Sequence, residues 1–161
     1  MATRNAVRSL RNLFVVSLAI SALTSACKQS GSSEPEIDPR EQYVGTYVGG
    51  YQSIIRFGGA ELKPESGTIS VGVSKGSNPK EIYIDVAANR PYKVTAELNG
   101  SNFTVIDRNK DQIFVQGTTF DGDYKATGVF DQNQIAIATT TESLQGGTLI
   151  SRSESITGTK K

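Results

Sequence analysis

The chain has 161 residues, with 17 Lys and Arg against 16 Asp and Glu, a single Cys, and neither His nor Trp. The commonest general base and the commonest transition-metal ligand are therefore absent, which removes most hydrolase and metalloenzyme designs. Near-balanced charge leaves no basic surplus for nucleic acid and no acidic block that would act as a solvating tail.

The first 26 residues read as a secretory signal. Arg4, Arg8 and Arg11 form a positive segment, and no acid occurs before Glu34. Leu13 to Ala22 is an apolar run of the length that signals use, and Thr24, Ser25 and Ala26 lead into Cys27. A membrane-spanning helix would need about 20 apolar residues, and this run is shorter and ends in a Ser-rich polar stretch. The segment Leu23-Thr24-Ser25-Ala26-Cys27 resembles the lipobox of Gram-negative lipoproteins. It departs from the usual pattern in one respect, because Thr24 stands where Leu is common and Leu23 lies one place further back. The resemblance implies a diacylglyceryl thioether on Cys27, cleavage before it and acylation of the new amine. Ordinary secretory cleavage is the competing reading, and it would leave a lone thiol in an oxidising compartment. Stable anchoring takes about two acyl chains, which such processing supplies. Lys28 after the anchor, in place of Asp, implies by the same resemblance the outer membrane, at its periplasmic face or at the cell surface.

Residues 27–37 form the anchor and a Ser-, Gly-, Pro- and Glu-rich tether. Residues 38–161 form one domain, large enough to build a core without disulfides. Asp38-Pro39-Arg40-Glu41 places a capping residue, a first-turn Pro and an acid in the order that opens a short helical turn.

From Tyr43 onward the pattern is alternating, and it predicts an all-β fold. Ile69, Val71 and Val73 alternate with small residues, Ile82, Ile84 and Val86 with Tyr83 and Asp85, and Tyr92, Val94, Ala96 and Leu98 with polar ones. Asn99-Gly100 and Asp121-Gly122 read as hairpin turns, and 108–111, 131–133 and 145–147 as further reversals. The expectation is an antiparallel meander of about eight to ten strands, near 43–57 (one strand or two), 67–74, 80–87, 91–98, 101–107, 112–120, 123–131, 134–142 and 147–157. A long meander leaves two bare edges unless its ends meet. Closure would give an up-and-down barrel, and a two-sheet sandwich is the alternative. Gly45-Thr46-Tyr47 resembles the G-x-W opening strand of lipocalins with Tyr in place of Trp, and residues 156–161 resemble the closing strand of such domains. That resemblance implies a lipocalin-like barrel with an interior site.

Three short motifs carry no chemistry. Gly72-Val73-Ser74-Lys75-Gly76 has the spacing of a serine elbow but no His base, and Ser77-Asn78-Pro79-Lys80 has a Pro where its helix should run. Asp107 to Asp111 matches the start of a calcium loop, yet Gln112 and Thr118 occupy the places of its Gly and Glu. Tyr43, Tyr47 and Tyr51, spaced by four, would share one face of a strand and are the candidate ligand-binding residues. Together these features predict a lipid-anchored protein that is not an enzyme, with no cofactor, metal or nucleic-acid partner. A small apolar molecule is the expected ligand, and docking to an envelope protein is the alternative.

Overall fold

In the computed structural model, residues 37–161 are described, and the signal, Cys27 and the tether up to residue 36 lie outside them. A single 3-10 turn over Glu41–Tyr43 precedes ten strands. These are β1 (Gly45–Phe57), β2 (Ala60–Glu61), β3 (Glu65–Lys75), β4 (Glu81–Ala87), β5 (Tyr92–Asn99), β6 (Asn102–Val105), β7 (Lys110–Val115), β8 (Thr118–Asp131), β9 (Gln134–Gln145) and β10 (Thr148–Lys160). All pairings are antiparallel. Eight strands run in the order β1-β3-β4-β5-β6-β8-β9-β10, and β10 then pairs β1 from Tyr47↔Lys160 to Phe57↔Ile150. The sheet is a closed barrel, so the two-sheet alternative falls. Closure removes both free edges of the meander.

Two reversals differ from the sequence expectation. Asp121-Gly122 lies inside β8, and the chain turns instead at Gln116-Gly117, both with positive φ. At 108–111 the chain does not reverse. It bulges out and then continues along β8, so β6 and β7 pair successive stretches of that strand. The Asp107 carboxylate accepts the Thr95 N–H at 2.8 Å and the Ile106 N–H reaches the Thr95 carbonyl at 2.9 Å, which closes the ladder where the bulge interrupts it.

One end of the barrel is plugged. The Tyr43 ring stacks on Phe130 at 4.4 Å, and Tyr47, fully buried, donates its hydroxyl to the Tyr43 carbonyl at 2.9 Å. Ile69, Val71, Val73, Ile82, Ile84, Val94, Phe103, Ile135 and Ile156 fill the interior above this plug. Arg40 clasps the β3–β4 connection across it, donating to the carbonyls of Gly76, Asn78 and Glu81 at 3.1, 2.5 and 3.1 Å. A smaller apolar cluster, Ile113, Val115 and Ile150 with Ile55, Leu62 and Phe120, lies toward the other end. Between the two clusters the interior turns polar.

Candidate ligand site at the barrel mouth

The inward positions that are apolar near the plug change character toward the opposite end. On β10 they read Ile156, Glu154, Arg152, Ile150, and on β9 Ile135, Ile137, Thr139, Thr141, Ser143. A charge or hydroxyl placed on an inward parity must be paired or left facing a cavity. Here both occur. A cavity of about 370 Å³ opens at this end. Tyr51, Ser53, Ile69, Val86 and Ala88 line one side, and Tyr92, Arg108, Asp111, Tyr124, Thr139, Arg152 and Glu154 line the other.

Asp111 is the hub of the polar side. One carboxylate oxygen binds Arg108 at 2.7 Å and the other binds Arg152. Arg152 also donates to the Gln112 carbonyl at 3.0 Å, so two of its three nitrogens are engaged. The Arg108 guanidinium sits between two rings, 4.6 Å from Tyr92 and 4.7 Å from Tyr124, a cation–π sandwich that fixes its plane. Burial pushes the Tyr92 and Tyr124 phenols up from their ordinary range, so both stay neutral at physiological pH. Burial also raises the Glu154 carboxyl, and Arg152 and Arg90 oppose that rise only in part. Tyr124 is buried, and its hydroxyl lies toward that of Tyr92, each phenol affecting the other's ionisation.

The three tyrosines singled out from sequence are not brought together at this cavity. Tyr51 lines it, whereas Tyr43 and Tyr47 form the plug at the closed end. Their shared strand face is real for Tyr47 and Tyr51, but four residues of strand span about 13 Å and separate plug from mouth. Arg108, Asp111, Tyr124, Arg152 and Glu154 were not candidates from sequence. The available signal was the inward parity of Arg152 and Glu154 between Ile150 and Ile156. The calcium-like stretch has its carboxylates committed, Asp107 to the Thr95 backbone and Asp111 to two arginines. Among the described residues no group of three or more Cys, Asp or Glu is placed to hold a metal ion.

The fold and its mouth define a class, a small closed antiparallel β-barrel with a polar-lined interior cavity. No protein-family profile matches the chain, and no curated protein matches it. A solved structure that does match is a protein of unknown function of the DUF3598 family from Nostoc punctiforme, 11% identical with a TM-score of 0.41. The match covers 75% of this chain and 48% of that one, so the chain spans about half the length of that protein. A likeness of this degree says nothing about the cavity.

Proposed function

We propose that the protein is a lipid-anchored, non-enzymatic envelope lipoprotein that binds a small molecule in the mouth of a lipocalin-like barrel. The observation that carries this reading is the 370 Å³ cavity, walled by Ile69, Val86 and Ala88 on one side and by fixed charges on the other. Cavities of this size suit a single small ligand, and the apolar wall would take the apolar body expected from sequence. The charged wall adds a polar end, so an amphipathic molecule fits better than a wholly apolar one.

Two experiments test the two halves. Labelled fatty acid should enter the wild-type protein and not Cys27→Ala, and a water-soluble wild type with a free thiol would remove the anchor. An environment-sensitive apolar probe should saturate near one per folded chain. Ala88→Trp, at the edge of the cavity, should abolish that binding while the barrel stays folded. Uptake of probe only on partial unfolding would remove the pocket reading.

Docking to an envelope protein is supported by a different feature. Leu144 and Leu149 are cross-strand neighbours on the outer face near the mouth, 70% and 48% exposed. Leu144→Lys with Leu149→Lys should abolish capture of a partner without altering probe binding if that surface is used.

A further inference from the structure

Closing the barrel leaves one strand edge bare at its mouth. β7 pairs β8 and, among the described residues, no other strand. The Tyr124 N–H donates to the Asn109 carbonyl at 2.9 Å, which sets the phase of that ladder. Asp111, Ile113 and Val115 therefore turn their backbone groups to β8, and Lys110, Gln112 and Phe114 turn theirs to the unpaired side. That side looks into the mouth. Arg152, an inward side chain of β10, reaches the Gln112 carbonyl at 3.0 Å, and Gln112 and Phe114 line the mouth cavity.

A second bare edge borders the same cavity. β3 runs past the end of β4, whose pairing begins at Ser70↔Ala87, so the start of β3 pairs β1 alone. The Gly76 N–H donates to the Glu81 carbonyl, and that phase turns the backbone groups of Ser66 and Thr68 away from β1. Glu65 and Ile69, on either side of them, line the cavity. A row of unpaired N–H and C=O groups is a template for one more strand.

The cavity narrows what that strand can be. Its charged lining balances, Arg90, Arg108 and Arg152 against Glu65, Asp111 and Glu154, so it asks for no net charge. The groups on the β7 edge repeat at strand spacing as donor and acceptor, which an extended backbone matches and a wholly apolar molecule does not. Ile69, Val86 and Ala88 offer an apolar wall to side chains. A second copy of the chain cannot bring its own β7 here, because that edge looks into its own mouth.

We propose that the mouth cavity binds a short peptide of no net charge in extended form, paired through its backbone to the free edge of β7. A three-residue peptide is about 10 Å long. This inference rests on the mouth cavity being a ligand site, and it names the class of the ligand.

The probe is acetyl-Val-Ser-Val-amide, whose two Val side chains share one face, titrated calorimetrically into the full chain. Its control is the same peptide N-methylated at every residue, which has lost those donors. The parent should saturate near one per chain and bind about tenfold tighter than the control. Hydrogen exchange of the complex reads the pairing directly. The amides of Lys110, Gln112 and Phe114 should slow by about tenfold on saturation, and those of Asp111 and Ile113, already bonded to β8, much less. Gln112→Pro deletes one edge N–H without touching the β8 ladder, at a position where an edge strand tolerates Pro. It should narrow the preference for the parent peptide several-fold, and if it fails to fold, the exchange pattern of the wild type still decides. Uptake of the apolar probe without uptake of the peptide would overturn the inference while the cavity reading stands. Equal affinity for the two peptides, or slowing that is uniform along β7, would mean binding without pairing and would overturn it too. So would a dimer of the free protein in which the edge amides are already protected, since the edge would then belong to a second copy. Binding of neither probe nor peptide to the folded chain would overturn both readings.

Discussion

Arg152 sits at a position where the alternation of β10 demands an inward side chain, and its charge survives there because Asp111 and the Gln112 carbonyl meet it. Removing one member of such a pair leaves a buried charge uncompensated, which costs more than the pair itself contributes. Asp111→Ala should therefore destabilise the barrel by about 3 kcal/mol in a denaturant melt. Asp111→Leu combined with Arg152→Met should recover most of that loss. A double variant no better than the single one would mean that the carboxylate matters for Arg108 rather than for Arg152. Glu154 carries a second residue-scale consequence. Its carboxyl is raised above the ordinary value of 4.5, so above that pH an unfolded chain gives up a proton that the folded one keeps. Stability should fall as pH climbs through the window above 4.5, and Glu154→Gln should flatten that slope. Asp38 acts in the opposite sense. Its carboxylate is held below its ordinary 3.8 by Arg40, so its contribution is present above that pH and fades as pH falls through the lowered value. Melts of Glu154→Gln and Asp38→Asn across pH 2–8 separate the two. For Arg152 and Glu154 the only sequence signal was their parity between Ile150 and Ile156, and the Asp111 partnership was not legible at all, because a charged residue in a strand reads as solvent-facing until its register is fixed.

At the scale of elements, alternation carried nearly all the information. The strands at 67–74, 80–87 and 91–98 fall within a residue or two of β3, β4 and β5 because each alternates cleanly over six or more positions. Asp121-Gly122 misled for a physical reason. Asp-Gly is a strong turn pair, but Gly122 serves close packing. A Cβ there would lie 2.6 Å from the Glu142 carbonyl oxygen, while the true turn at Gln116-Gly117 takes the positive φ. Gly122→Ala should cost about 1–3 kcal/mol from overpacking, read as a lowered denaturant midpoint. The bulge at 106–109 was hidden because no periodic signal marks an excursion between two strands that pair the same neighbour. Face assignment offers the cleaner check on β5. Val94 is 3% exposed and Lys93 faces out. Val94→Asp should cost several kcal/mol, whereas Lys93→Asp should cost about 0.5 kcal/mol or less. Equal losses would place the strand on the wrong face.

The whole molecule is governed by its seam. β1 and β10 lie at opposite ends of the described domain in sequence and pair over eleven registers, Tyr47↔Lys160 to Phe57↔Ile150. That pairing brings the plug, with Tyr47 opposite Lys160, and the mouth, with Ser53 opposite Glu154, onto one continuous wall. Closure itself was legible only as one of two ways to avoid bare edges. A sandwich would have satisfied the same alternation, and what decides between them is non-local pairing that no short motif encodes. The two architectures differ in one measurable respect. In a sandwich β1 and β10 would be edge strands, and their outward amides would exchange with solvent through local opening. In the barrel both strands are paired on each side, β1 with β3 and β10, and β10 with β9 and β1. Native-state hydrogen exchange should therefore find the paired amides of β1 over 47–52 and of β10 over 155–160 as slow as those of β4. The short β2 and the bulge over 107–109 should exchange orders of magnitude faster. Fast exchange at the seam with slow exchange in β4 would mean that the ends of the meander do not stay joined, and the mouth cavity, whose wall includes Ser53, Arg152 and Glu154, would then lack a fixed shape.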